Sequence, residues 1–225
     1  MSLGRKLLAE FIGTALLLAC VVGSGVMGVN LADGNAAIAL FANAGATAGI
    51  LYVLIVVLGP VSGAHFNPVV TLVMRWRGEL RTHEALAYVV VQIVAAFAGV
   101  LLAHAMFDLP LLQPGTRIRT GDGQWLSECV ATFGLVLTIL LGLRHRPAAV
   151  PALVASYIFA AYWFTASASF ANPAVTLARA LTQTFAGIRP EDVAGFIVAQ
   201  LLGAMTAVLT AYALALGQFV IANGD

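Results

Sequence analysis

Ser62-Gly-Ala-His-Phe-Asn67-Pro-Val-Val-Thr-Leu72 and Ser167-Ala-Ser-Phe-Ala-Asn172-Pro-Ala-Val-Thr-Leu177 are the two stretches that decide the architecture. They agree at six of eleven positions with a constant offset of 105 residues, the mark of an internal repeat. The flanks repeat in the same order. Glu10-x-x-x-Thr14 and Glu128-x-x-x-Thr132 precede the boxes, and Gln92-x-x-Ala-Ala and Gln200-x-x-Gly-Ala follow them. The chain therefore reads as one domain over 1–225, built from two halves of about 1–115 and 116–225.

Asn followed by Pro is a helix-start signal. Asn caps the free backbone N–H groups, and Pro at the first helical position lacks an N–H that would have no partner there. Asn67 with Pro68 and Val69, and Asn172 with Pro173 and Ala174, each open a helix, and the segments 62–76 and 167–181 are too short to cross a bilayer. With the amide oxygen turned to the helix, each Asn NH₂ is left to donate outward.

The composition names the solvent. Of 225 residues, 61% are hydrophobic and 9% charged, whereas a soluble domain carries roughly 25% charged residues. Apolar runs at 7–29, 36–58, 85–106, 125–143, 148–165 and 193–221 make six spans of the length that hydrocarbon about 30 Å thick requires. The net charge is +1 and the 11 Lys and Arg are scattered, so no basic stripe for nucleic acid exists. Cys20 and Cys129 lie inside apolar runs and read as unpaired small hydrophobes. The N-terminal Arg5-Lys6 and Leu17-Leu18-Ala19-Cys20 imitate a lipoprotein signal, but Glu10 interrupts the run and the chain stays apolar to Val29, so the segment reads as a first span. Arg5, Lys6, Arg75, Arg77, Arg81, Arg144 and Arg146 fall on one side, against Arg117, Arg119, Arg179 and Arg189 on the other. The positive-inside bias places both termini in the cytoplasm of a multi-pass protein of the inner (plasma) membrane.

Three spans per half invert the second half relative to the first, so the Asn-Pro segments enter from opposite faces. If the half-helices meet at the midplane, each directs about half a positive charge at one spot, which resists cations and protons. The non-helical stretches 62–66 and 167–171 place irregular backbone at membrane depth, which is tolerated when buried in protein or lining a water-filled cavity. A passage with carbonyl acceptors and two Asn donors follows, suited to small uncharged hydrogen-bonding solutes.

With these motifs the chain resembles the aquaporin, or major intrinsic protein, family over essentially its whole length. The resemblance implies an all-α hourglass of six transmembrane helices and two re-entrant half-helices. It also implies a homotetramer in membrane lipid with one pore per subunit, and passive conduction with no cofactor, metal or catalysis. Glu10 and Glu128, with Gln92 and Gln200 beside them, look like structural supports that accept hydrogen bonds from the re-entrant backbone, not proton relays. Val69 stands where the family usually has Ala, a change in midplane packing. His65 is expected on the cytoplasmic approach as a hydrogen-bonding group, His104 as packed or interfacial, and Trp76, Trp125 and Trp163 as residues that anchor or pack the helices.

Most relatives follow the second box with Arg. Here Val175 stands in that place, three residues past the cap and rotated about 60° from Asn172, where it can face the same lumen. Spacing from the boxes puts the other filter positions at Thr47, Ala160 and Ser169, a ring without charge or aromatic group and therefore wide. Arg179, one turn on, faces either the outer mouth or the headgroups. The filter resembles that of a branch of bacterial aquaglyceroporins of arsenic-resistance operons. That resemblance implies arsenite and methylated arsenicals as solutes beside glycerol and water. The alternatives are a general glycerol, urea and water facilitator without an arsenic role, and an ion-coupled secondary transporter. The transporter is disfavoured because no intramembrane carboxylate is free to couple an ion.

Overall fold

The structure is a computed structural model, and residues 1–214 are described. Among the described residues, six helices are long and apolar enough to cross a membrane, two of them counted together with the short 3-10 turns that lead into them. They are α1 (Leu3–Leu31), α2 (Ala36–Ser62), α4 (Thr82–Met106), α5 (Asp122–His145), α6 (Val150–Phe164) and α8 (Val193–Leu214). Short 3-10 turns at Pro147–Ala149 and Pro190–Asp192 lead into α6 and α8. The last apolar run was expected to reach 221, and its final residues lie outside the described ones.

The two remaining helices are α3 (Pro68–Trp76) and α7 (Pro173–Arg179), of nine and seven residues. At 1.5 Å per residue neither exceeds about 14 Å, half of the hydrocarbon thickness. Both start where the Asn-Pro pairs put them. The Asn67 side chain accepts from Val69 N at 2.9 Å, and that of Asn172 accepts from Ala174 N at 3.0 Å and Val175 N at 3.3 Å. Each ends with a basic residue in its last turn, Arg75 and Arg179, which complements the negative end of the helix.

Packing follows the repeat. α1 lies against α4 and α2, α5 against α8, and α2 against α6 across the boundary between halves, while α3 and α7 meet within the bundle. Small residues let the backbones close. A Cβ on Gly99 would fall 2.3 Å from the Ala15 carbonyl of α1, and one on Gly203 would fall 2.2 Å from the Cys129 carbonyl of α5. In lipid, where association rests on close van der Waals contact, such approaches hold helices together. Leu8, Leu86, Val90, Val57 and Leu209 turn outward, each at least 59% exposed, the arrangement expected of a surface solvated by acyl chains.

Candidate functional site: a lumen between two half-helices

Each re-entrant segment is held by a buried carboxylate from the first helix of its half. Glu10 accepts from Ser62 Oγ at 2.7 Å, His65 N at 3.0 Å and Phe66 N at 2.8 Å. Gln92 Nε2 donates to Glu10 at 2.8 Å and to Thr71 Oγ1 at 2.9 Å, joining α4, α1 and α3. The second half repeats the set. Glu128 accepts from Phe170 N at 2.8 Å and Ala171 N at 2.9 Å, and Gln200 Nε2 bridges Glu128 at 2.6 Å and Thr176 Oγ1 at 2.8 Å. A carboxylate with several charge-assisted donors is well satisfied without water, and these two are engaged by the scaffold.

What they hold is strained backbone. Gly63, Ala64 and Phe66 have positive φ, and so do their repeat equivalents Ala168, Ser169 and Ala171. Left-handed conformation at a non-glycine residue costs of order 1–3 kcal/mol and persists only where the surroundings over-determine it. The segment's outer carbonyls are capped differently in the two halves. Tyr88 OH donates to Ser62 O at 2.8 Å, whereas Arg119, from the loop before α5, donates from Nη1 to Ser167 O at 2.9 Å.

The half-helices are tied to each other through their caps. Asn67 Nδ2 donates to Ala171 O and Asn172 Nδ2 to Phe66 O, both at 2.8 Å. One N–H of each amide is thus used between halves, which leaves the second to the lumen. Val69 and Ala174 are buried beside the caps, at 1% and 0% exposure, each within an apolar cluster, and neither lines the cavity.

The lumen is a single cavity of about 380 Å³. It reaches from Glu79, Leu143 and Pro147 at one end, past His65, Asn67 and Asn172, to Thr47, Val175 and Arg179. Leu51, Ile55, Ile139, Val154 and Ile158 form an apolar wall. His65 lies on this path with its Nδ1 3.1 Å from Thr71 Oγ1.

Of the expected filter positions, Thr47, Ser169 and Val175 line the cavity, but Ala160 does not: it is exposed on the outside of α6. Val154, Ile158 and Tyr162 share the lumen-facing stripe at spacings of four, and Ala160 sits about 200° around the helix from either neighbour on that stripe. On that stripe Tyr162 lines the cavity instead, its hydroxyl 3.2 Å from Thr47 Oγ1. Arg179 also lines the cavity and is 2% exposed.

Arg119, which the sequence offered only as a loop cation, is 6% exposed and binds the Gly187 carbonyl through Nε at 2.9 Å. Burial, with Arg179 and Arg117 nearby, pulls its guanidinium well below the usual arginine range. His104 is buried at the C-terminal end of α4, with Nδ1 2.8 Å from Leu111 O and Nε2 2.8 Å from Thr182 Oγ1. It fastens the loop after α4 and the loop after α7 to the bundle.

Residues 1–150 match the model of the family described as Major intrinsic protein. The chain belongs to the major intrinsic protein family. Relatives of this major intrinsic protein include the Aquaglyceroporin AqpS of Rhizobium meliloti (strain 1021), 58% identical over 91% of this chain and 88% of the relative. The Probable aquaporin PIP2-8 of Oryza sativa subsp. japonica is 33% identical over 61% of this chain and 51% of that protein. In structure, the X-ray structure of the aquaglyceroporin from Plasmodium falciparum aligns with a TM-score of 0.72, covering 93% of this chain and 94% of that one at 17% identity. That likeness shows the shared hourglass fold. As a multi-pass membrane channel of this family, the chain conducts passively and is not an enzyme.

Proposed function

We propose that this chain is an aquaglyceroporin for small uncharged solutes, passing water, glycerol, arsenite as the neutral triol As(OH)₃, and methylated arsenicals. The observation that carries the reading is the lumen's make-up. One wall is apolar, and against it stand the two Asn amides, with Thr47, Ser169 and Tyr162 near the outer end. A solute with several hydroxyls can exchange water for these groups while its carbon or arsenic face slides along Ile55, Ile139 and Val154. Glycerol and As(OH)₃ share that hydroxyl pattern, and the name of the Rhizobium meliloti relative supports the glycerol class. The N-terminal ends of α3 and α7 disfavour cations between the boxes. The assembly proposed is a homotetramer in the inner membrane with cytoplasmic termini, in keeping with the basic residues at 5–6, 75–81 and 144–146.

Proteoliposomes holding the full chain, mixed in a stopped-flow device with glycerol, urea or arsenite gradients, test the reading. Glycerol and arsenite fluxes above those of empty vesicles, and indifferent to ionophores, are expected. Glycerol flux without arsenite flux would leave a general facilitator. Flux that collapses with an ionophore would indicate a coupled transporter.

A further inference from the structure

The place where most relatives carry a filter arginine is occupied here by Val175, yet the cavity beside Val175 is not free of charge. Side chains on a helix lean toward its N-terminus, so a long side chain one turn beyond Val175 returns over the surface that Val175 covers. Arg179 is that residue. It lines the cavity together with Val175, Ser169, Tyr162 and Thr47.

Two contacts hold its guanidinium: Nε donates to the Ala186 carbonyl, and the guanidinium carbon lies 3.4 Å from the centre of the Phe170 ring. Its backbone is fixed as well, the Arg179 carbonyl accepting from Ile188 N at 3.2 Å. Arg119 braces the same platform, 4.9 Å from the Phe170 centre, while tying Ser167 O to Gly187 O. Among the described residues no carboxylate forms an ion pair with either guanidinium. Ser169 Oγ, buried at 3% exposure on the same cavity, is also without a partner. Leaving a buried hydroxyl unpaired is unfavourable, and a solute hydroxyl in the lumen would supply the missing partner.

We propose that Arg179 is the cation of the outer filter, moved one helical turn from its usual place, and that with Ser169 it forms a subsite for one hydroxyl of an uncharged solute. The inference rests on the reading of the chain as a passive conduit. Arg179 donates to the solute oxygen and repels cations, and Ser169 offers the second hydrogen bond. Val175 beneath them leaves width that an arginine rooted there would fill.

The test uses proteoliposomes of the full chain, with water and glycerol followed by light scattering and protons by an internal pH dye. Arg179→Gln keeps a donor for Ala186 O but loses the charge, and its proton-to-water flux ratio is expected to rise about tenfold. Arg179→Lys keeps the charge and the low ratio, and Val175→Arg added to Arg179→Gln restores it. Ser169→Ala is expected to lower glycerol flux severalfold relative to water. An unchanged proton ratio in Arg179→Gln, or equal loss of all fluxes in both the Gln and Lys variants, overturns the inference and makes Arg179 a loop brace. Wild-type vesicles that pass neither water nor glycerol would sink the conduit reading itself.

Discussion

Asn67 donates its side-chain Nδ2–H to the Ala171 carbonyl at 2.8 Å, and Asn172 returns the same bond to Phe66. Each cap therefore does two things. Its oxygen starts a half-helix, and its nitrogen fixes the neighbouring half-helix at the midplane, so the two dipole ends are held to a common spot by a pair of reciprocal bonds.

Asn67→Ala removes the cap and the cross-bond together. A lost N-cap costs about 1 kcal/mol and a stranded buried carbonyl about 1–3 kcal/mol more. The expected outcome is a lower unfolding temperature in detergent and at least tenfold less water flux per folded channel. Asn172→Ala is expected to match it, because its bonds are the mirror set.

Glu10→Gln offers an NH₂ where four donors converge. Ser62 and His65 donate to one carboxylate oxygen, and Phe66 and Gln92 to the other, so whichever oxygen the NH₂ replaces, two donors face another donor. Each buried donor left without an acceptor costs about 1–3 kcal/mol, and poor recovery of folded protein from the membrane is expected. A proton relay would behave differently: Glu10→Gln would fold normally and lose only pH-dependent flux, and a melting temperature unchanged from wild type would favour that view.

The carboxylate frame and the half-helices could be read from the sequence because the repeat prints them twice. Glu10 and Glu128, Gln92 and Gln200, and the Asn-Pro pairs occupy matching places, and cap chemistry is local. Helix face is harder to read. Ala160 was placed by counting back from the second box, but the chain leaves α6 at Phe164 and runs through an irregular segment, so the count lost its angular register and missed Tyr162. Arg119 had no chance of discovery by repetition, since its counterpart in the first half is Tyr88, a different chemistry reaching the equivalent carbonyl from a different element. A lone arginine among loop residues carries no signal of burial. Positive φ at Phe66 and Ala171 was also hidden, because neither residue type announces it.

Val175→Arg in the wild-type background puts a second guanidinium into a filter that already holds Arg179. Volume and like charge act together, so glycerol flux is expected to fall at least tenfold while water falls less, read as the ratio of the two in stopped-flow swelling. Equal reduction of both would show that Val175 does not set the width.

The register of α6 is tested by size alone. Ile158 faces the cavity and is buried, whereas Ala160 is exposed on the outside of the helix. Ile158→Trp adds bulk to the lumen wall, and overpacking there can be relieved only by intruding on the passage, so glycerol flux is expected to drop at least severalfold. Ala160→Phe adds an apolar ring to a surface that meets lipid or a neighbouring subunit, and glycerol and water flux per folded channel are expected to stay within about twofold of wild type. If the two variants exchanged behaviour, α6 would be rotated by about 200° from the orientation described, the angle between positions two residues apart. Tyr162 would then leave the lumen with Ile158. The pairing of Tyr162 with Thr47 at 3.2 Å gives an independent check on the same rotation: Tyr162→Phe keeps the ring and removes only the hydroxyl, so with the register described it alters the glycerol-to-water ratio, and with the rotated register it does not.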